Sequence, residues 1–375
     1  MRFEEVNRRR LFRHGLSRPL GSLTEAAAAM AGVHAQVMSA AEVSLGLRVS
    51  SATRADVAAA LWEERSLVKT LGPRGTVHLL PAADLPWWLA ALGTVPKAGG
   101  HPEGVRLSTD ETDAVVAALD QALRAGERTT EELDAEVAEA CGAWAAEESM
   151  AAFGGFWPRW RQALGAAAAR GVLCFGPLRG RRVTYASPTR WLPDLVLPDP
   201  AAAQLDLLRA YLAAYGPATP AHLSRWLATS PTWTAELFGR ADLEQVELEG
   251  EAAWVWRGDT SFEAPEPPAV RLLPYFDAFQ VGSQPRALLF PGRAAERALA
   301  RTQAGNFPVL LLDGVVGGVW HQKRSGSRLA VTVEPLSRLT RTQLAALEED
   351  VARVGAIVGA RPEITIGPVS VGPHA

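Results

Sequence analysis

Apolar residues in the first hundred positions recur at helical spacing and then give way to two short alternating runs. The pattern predicts a basic helix over residues 8–14, an alanine-rich helix ending near His34 and a helix opened by the capping residue Thr53. Two β-type runs follow at residues 67–70 and 76–80, on either side of a Gly-Pro turn. Three helices followed by a hairpin is the order of elements in a winged helix.

The same order of helices and strands recurs twice further along the chain. The second set is predicted over residues 109–125, from Thr129, and over 157–170, 172–175 and 182–186. The third set is predicted over residues 201–215, 220–227, 232–238, 246–249 and 253–257. Recurrence of one supersecondary unit is the sequence sign of a repeat architecture. We therefore predict three tandem winged-helix units, each a helix-turn-helix with a wing.

A proline-rich break at residues 265–268 begins a region of different character. Four β-type runs with Gly and Asp turns precede a helix over 336–354 and a last strand at 363–366. This pattern predicts a β-barrel-like region, or a sheet, with a helix packed on it, and hence an α+β fold. The predicted domains are the three winged helices at 1–100, 101–195 and 196–262, and the barrel-like region at 263–375.

Composition and cysteine usage narrow the class of protein. The chain is 48% hydrophobic, and no run of about 18 uncharged apolar residues occurs that could span a membrane. The first residues lack the apolar segment of a secretory signal, so we expect a cytoplasmic protein. Cys141 and Cys174 fall in segments predicted to be buried. We therefore expect neither a disulfide nor a metal site, and no cofactor.

The formal net charge of −3 argues at first against a nucleic-acid partner, but the basic residues are clustered. Of 38 basic residues, three are lysines and 35 are arginines, the residue suited to bidentate phosphate contact. They gather at residues 8–13, 179–182 and 323–328, whereas acidic residues concentrate at 127–139 and 348–350. A mildly acidic protein with local basic faces can still bind DNA.

Two segments carry candidate DNA contacts. Residues 320–328 predict a hairpin whose tip bears Lys323, Arg324 and Arg328. A solvated loop is the simplest interpretation of that tip, yet it also suits insertion along the minor groove of DNA. Arg74 and Thr76 are candidate phosphate or cleft contacts, with turn structure an equally good explanation.

His34 and Gln36 are candidate catalytic residues at the end of the alanine-rich helix. Within a helix, side chains two positions apart point about 200° away from each other, so they could not share a substrate. At a helix end or in extended backbone they can converge on one cleft. A histidine offers a general base or an electrostatic partner, and a glutamine amide can orient a water molecule. On these residues alone, surface or capping detail is the simpler explanation.

Four segments, taken in order, resemble one known family. They are residues 32–48 around the His-x-Gln pair, Arg74 to Leu79, Leu272 to Asp277, and residues 309–320. The first is similar to the catalytic region of the AlkZ and YcaQ winged-helix DNA glycosylases, and the others to that family's Arg-Gly-Thr-hydrophobic-His strand, Leu-Leu-Pro-x-Phe-Asp segment and barrel strands. The resemblance covers nearly the whole chain, and the order of the segments is more specific than any one of them.

The resemblance implies a DNA N-glycosylase that curves around double-stranded DNA and acts without an obligate protein partner. The family's catalytic motif is Gln-x-Gln, so Gln36 matches the second glutamine and would position or polarise the attacking water. His34 stands where the family usually has its first glutamine. The His-x-Gln form resembles a subgroup tied to self-resistance in producers of bulky intercalating alkylators such as the pluramycins and trioxacarcins.

Lesions of that kind sit on guanine N7 and make the base a good leaving group. The enzyme then needs an oriented water and stabilisation of a cationic sugar, with little acid catalysis. A neutral His34 or Gln36 that accepts a hydrogen bond from water would satisfy this need. A bulky intercalated adduct is hard to flip, so we expect the motif to reach the lesion within the duplex.

Other positions favour structural roles. His78 is predicted to be a core or wall histidine, and Asp277 to cap a turn rather than orient a catalytic group. The core aromatic residues are predicted to include Trp87, Trp88, Trp157 and Trp160. Two alternatives to an enzyme stay open at the level of sequence: a non-catalytic winged-helix DNA-binding protein or regulator, and a protein–protein scaffold.

Overall fold

The computed structural model describes residues 1–97, 102–152 and 155–374. The first group of elements is α1 (Phe3–Arg13), α2 (Leu23–Ala29), β1 (Val33–His34), α3 (Met38–Gly46), α4 (Arg54–Trp62), β2 (Leu67–Leu71), β3 (Val77–Pro81) and α5 (Leu85–Leu92). Its sheet has the order β1-β3-β2, all antiparallel. Ser22 caps α2, and Thr53 with Asp56 forms a capping box on α4, so local sequence fixes where these helices begin.

The alanine-rich helix ends earlier than the sequence predicts. It stops at Ala29 because Ala31 (φ 52°) and Gly32 (φ 96°) both take the left-handed conformation. A side chain at Gly32 would come within 2.9 Å of Leu80, so the turn needs glycine for space as well. The chain therefore reaches His34 in strand β1, and the next helix, α3, begins at Met38.

The second group begins at a helix whose bounds match the prediction. Its elements are α6 (Thr109–Ala125), β4 (Arg128–Thr129), α7 (Thr130–Cys141), β5 (Glu148–Ala152), β6 (Gly155–Pro158), α8 (Leu164–Ala169), β7 (Cys174–Phe175) and β8 (Thr184–Ala186). The helix predicted over 157–170 is wrong in its first half, because Trp157 pairs with Met150 in the β5–β6 hairpin. The predicted boundary at 100 and 101 lies outside the described residues.

The third group repeats the plan of the first two. Its elements are α9 (Pro200–Tyr215), α10 (Pro220–Leu227), α11 (Pro231–Arg240), β9 (Leu243–Leu248) and β10 (Glu251–Trp256). Ala218, directly after α9, forms an antiparallel bridge with Trp254 of β10. In each group, then, a short extended segment pairs with the last strand of the hairpin, as β1 does with β3 and β4 with β8.

The C-terminal region forms a sheet that stays open. Its elements are β11 (Val270–Leu273), α12 (Ala278–Gly282), α13 (Arg286–Leu289), α14 (Arg293–Ala298), β12 (Val309–Leu312), β13 (Val315–Ser325), β14 (Arg328–Pro335), α15 (Arg341–Val358) and β15 (Arg361–Ile366). The strands run in the order β11-β12-β13-β14-β15, and within the described residues the two outer strands do not pair with each other. Of the two predicted arrangements, the structure has the sheet with a helix packed on it and no closed barrel, since α15 packs on the sheet through Leu347 and Val354.

The basic cluster at residues 8–13 is structural. Arg9 and Arg10 are at most 2% exposed, and Arg10 donates hydrogen bonds to the backbone carbonyls of Gln284 and Pro217. Arg9 and Arg13 both pair with Asp259, whose carboxylate lies 2.5 Å from Arg9 Nη2. This cluster holds α1 against the third group and offers no open basic face.

The structure also bears on the expectations for membrane helices, metal sites, cysteines and core tryptophans. Among the described residues, no helix combines the length and apolar character needed to cross a bilayer, and no group of side chains suits a metal ion. Cys141 and Cys174 are free thiols. Trp88 and Trp160 are buried as predicted, and Trp87 stacks on Trp88 at 4.5 Å. Trp157 is 43% exposed, so its assignment to the core is wrong; the hairpin carries it outward.

Candidate active site

The His-x-Gln segment lies alongside β3, with Val33 and His34 in strand β1 and a bend at Gln36. His34 pairs with His78, and the Ala35 amide donates to the Val77 carbonyl at 2.7 Å. Beyond the strand, the Val77 amide also donates to Gln36 Oε1 at 3.5 Å. Strand pairing thus fixes His34, whereas Gln36 lies just past the strand in a bend, where its side chain reaches back to β3.

The His34 imidazole lies among aromatic rings. Its centroid is 4.7 Å from that of Phe276, with the planes 33° apart, and 5.2 Å from that of His78, edge to face. The ring is half-buried, and within the described residues its Nδ1 is a buried atom without a hydrogen-bond partner. An unpaired buried nitrogen is costly, so this atom is suited to receive a bound molecule.

Burial and neighbouring positive charge keep His34 neutral. Burial is the larger cause, and together with the charges of Arg74 and His374 it lowers the pKa of His34 to about 4. Burial likewise lowers the pKa of His78 to about 3. His78 Nδ1 lies 2.9 Å from the Thr76 carbonyl oxygen, which can only accept, so this nitrogen carries the proton. Both rings are therefore neutral near pH 7.

Two neighbouring cavities adjoin the segment. The larger, which we call the inter-unit cleft, has a volume of about 660 Å³ and lies between the first and second groups, with Gln36 and Trp157 among its lining residues. The smaller, the His34 cavity, has a volume of about 20 Å³, enough for about one water molecule. Arg74 lines both. His34 thus faces a water-sized space, Gln36 faces a wide one, and a single arginine borders both.

Arg74 and Thr76 have different roles in the turn before β3. Arg74 takes a left-handed conformation (φ 61°) in the 3-10 turn Pro73–Gly75, which turns its side chain toward the cavities. The Thr76 hydroxyl donates to the Pro73 carbonyl at 3.0 Å, so it serves the turn. Within the described part of the chain, no carboxylate forms an ion pair with Arg74.

Phe276 and Asp277 hold the site from the C-terminal region. Phe276 has a left-handed backbone (φ 54°), an uncommon conformation for a bulky residue, and this places its ring against His34. Asp277 caps α12 by accepting from the Phe279 amide at 3.0 Å. Its buried carboxylate also accepts from both terminal nitrogens of Arg48, at 2.8 and 2.9 Å, and from the Ser44 hydroxyl. The predicted capping role is confirmed, and the ion pair ties α3 to this region.

A residue from the third group fixes the other end of the segment. The Tyr215 hydroxyl donates to the Met30 carbonyl at 2.8 Å, just before the turn into β1, and its ring lines the His34 cavity. No sequence pattern singled out Tyr215, and Phe276 was marked only as part of the Leu272 to Asp277 segment, because the roles of both depend on contacts between distant segments. Trp157 was recognised as aromatic but assigned to the core.

The basic hairpin is present, with an open tip. Ser325 pairs with Arg328 at the turn, and the exposed basic residues there are Lys323, Arg324 and Arg328. Among the described residues, none of the three forms an ion pair. Burial raises the pKa of Glu42 in α3, and the positive charge of Arg324 acts against that rise. The hairpin therefore lies beside α3, the helix that follows Gln36.

Comparisons with known proteins identify the family of this chain. The family described as "DNA glycosylase AlkZ-like" matches residues 27–357. A curated relative from Streptomyces sahachiroi, named "Interstrand DNA cross-link repair glycosylase", is 30% identical over 90% of this chain and 91% of its own length. The solved structure of Streptomyces sahachiroi DNA glycosylase AlkZ matches with a TM-score of 0.80 and 28% identity, covering 98% of this chain and 100% of that one. The chain therefore belongs to the AlkZ-like DNA glycosylases, enzymes that hydrolyse the bond between a base and its sugar.

Proposed function

We propose that this enzyme removes guanine alkylated at N7 from double-stranded DNA, including bulky intercalating natural-product adducts, with His34 and Gln36 at the reaction centre. The carrying observation is that His34 lines a water-sized cavity and Gln36 a wide cleft, with Arg74 bordering both. A role in repair or self-resistance follows from that substrate class. Cross-linked guanines are a further proposed substrate, since the curated relative is named for cross-link repair.

The proposed chemistry needs no acid. The oxygen of a bound water forms a bond to C1′ of the sugar while the C1′–N9 bond breaks. The electron pair of that bond returns to the cationic guanine ring and neutralises it, and the proton of the water passes to solvent. Neutral His34 and the Gln36 amide orient the water through hydrogen bonds, and no carboxylate is required.

DNA binding is assigned to the repeated units and the hairpin. The three groups of helices and hairpins would act as winged-helix modules, with the domains as predicted, curving around the duplex. Lys323, Arg324 and Arg328 are exposed without ion pairs, which suits contact with DNA along the minor groove. Arg74 would meet a phosphate or the lesion near the cleft. Thr76 would contribute through the turn that aims Arg74. We propose that the enzyme works in the cytoplasm without a cofactor or an obligate protein partner.

The experiment uses a duplex with one N7-methylguanine and follows abasic sites by alkaline cleavage. The variant carrying His34→Ala and Gln36→Ala is expected to lose base release by at least about a hundredfold, the range typical for loss of oriented polar groups. Its Kd for the same duplex is expected to stay within about threefold of the native value, because phosphate contacts dominate affinity.

Gln245→Ala supplies the control, since Gln245 is an exposed glutamine on β9 outside the site. It should release base at the native rate. Native-rate release by the double variant would contradict the proposal.

A further inference from the structure

The inter-unit cleft is larger than hydrolysis alone requires. A water is accommodated by the His34 cavity, at about 20 Å³, whereas the cleft measures about 660 Å³. Volumes of this size are typical of pockets that hold drug-sized molecules. The cleft also begins at the reaction centre, because Gln36 and Arg74 line it. Its occupant is therefore expected to be attached to the reacting base.

The cleft presents an exposed aromatic platform. Trp157 is 43% exposed, and the Arg161 guanidinium lies 4.1 Å from the centre of its ring. Leu92, Val95 and Leu164 supply apolar walls. A large exposed aromatic side chain within an apolar cleft marks a ligand site, since it gains little by standing in water. A flat apolar group would stack on the part of this indole that Arg161 leaves exposed.

The charge of the cleft narrows the occupant further. Three cationic side chains line it, those of Arg74, Lys97 and Arg161. Among the described residues that line it, none is acidic. A cationic group entering this space would meet three positive charges with no counter-charge, so a neutral or anionic group is favoured.

We propose that the inter-unit cleft binds the aromatic substituent of the lesion, a flat group without positive charge, after that substituent has swung out of the base stack. This inference rests on the proposed function, because an N7-guanine adduct is what brings such a group to Gln36. The guanine and its sugar stay in the duplex at the His-x-Gln segment. The substituent, rather than the nucleotide, leaves the stack, and stacking on the exposed Trp157 ring replaces the stacking it loses.

The experiment compares two duplexes of one sequence, in which guanine N7 carries a methyl or a 1-pyrenylmethyl group. The quantity measured is the ratio of kcat/KM for pyrenylmethyl over methyl release. Trp157→Ala is expected to lower this ratio about tenfold, and Trp157→Phe to restore most of it. Phe156→Ala is the matched control, because Phe156 is 59% exposed on the same strand and does not line the cleft. Its ratio should stay within about twofold of the native ratio.

Charge is tested with pyrene groups that carry a carboxylate or an ammonium. The native enzyme should prefer the carboxylate form. Val183→Glu adds a negative charge at a 42% exposed position in the cleft lining, so it should lower the ratio of release rates for the carboxylate over the ammonium form. An unchanged ratio in Trp157→Ala, or a native preference for the ammonium form, overturns the inference. Failure of the native enzyme to release either base is a different result, because it contradicts the proposed function itself.

Discussion

Two arginine-rich segments of this chain have similar composition and opposite surroundings. In α1, Arg9 and Arg10 are at most 2% exposed, and their partners lie more than 200 residues away in sequence. At the hairpin tip, Lys323, Arg324 and Arg328 are all exposed. The difference arises because α1 packs where Asp259 and buried carbonyls converge, whereas the three basic residues of the tip lie at the exposed end of strands β13 and β14. Clustered arginines identify a basic face only once their partners are known.

The largest expected effect in this comparison of buried and exposed arginines is at Asp259. Asp259→Ala would leave Arg9, 2% exposed, as a buried charge without its counter-ion. We expect a loss of about 3 kcal/mol in the free energy of unfolding, measured by urea denaturation. Asp242→Ala is the matched control, because its pair with Arg257 is exposed on both sides and should contribute less than about 1 kcal/mol. Equal losses in the two variants would refute a structural role for the α1 cluster.

The hairpin tip is expected to behave in the opposite way. Replacing Lys323, Arg324 and Arg328 with alanine should leave the unfolding free energy within about 0.5 kcal/mol of native, since exposed substitutions cost little. The Kd for duplex DNA should rise about tenfold at 100 mM salt. The slope of log Kd against log salt concentration should fall by the equivalent of about two to three phosphate contacts. Titrations at several salt concentrations measure both. Unchanged affinity would remove the hairpin from the DNA interface.

A smaller effect concerns the histidines of the two regions. His14, at the end of α1, is fully buried, and burial lowers its pKa to about 3. Its unfolded pKa is near 6.5, so the unfolded state takes up a proton that the folded state refuses. Stability is therefore full above about pH 6.5 and is lost as pH falls below it, by about 1 kcal/mol at pH 6 for this group.

His14→Leu tests this acid sensitivity against His321 of the hairpin. The variant should show a shallower fall in unfolding free energy between pH 7 and pH 5, whatever its absolute stability. His321→Ala should change the slope less, because His321 is only partly buried. A larger change from His321→Ala would place the acid-sensitive group in the hairpin.

Local features of the sequence predicted much of the fold. The bounds of α6 and α10 match the prediction, because Ser108 and Thr219 cap them and the apolar spacing is regular. The helix expected to end near His34 was too long, since the break depends on space beside Leu80. The sequence left a barrel and an open sheet as alternatives for the C-terminal region, because closure of a sheet depends on what packs against it, and here α15 packs on the sheet.

The site was predictable only in part. The resemblance pointed to His34 and Gln36, but pairing with β3 extends the backbone only as far as His34, and no spacing rule predicted the bend at Gln36. The contacts of Phe276 and Tyr215 join segments separated by about 180 residues or more, and no spacing rule reports such pairs. Trp157 was misassigned because large aromatic residues are usually buried, whereas here a hairpin carries the ring into a cleft.

The central claim is that neutral His34 acts with Gln36 in base release, and the most direct test is the pH dependence of that contribution. Single-turnover release of N7-methylguanine is measured for the native enzyme and for His34→Ala from pH 5.5 to pH 8. With a pKa of about 4, His34 stays neutral throughout, so the native rate should exceed the variant rate by a constant factor of at least about tenfold. A factor that falls toward one as pH rises past 6.5 would mean that the protonated imidazole is the active form and would contradict the account.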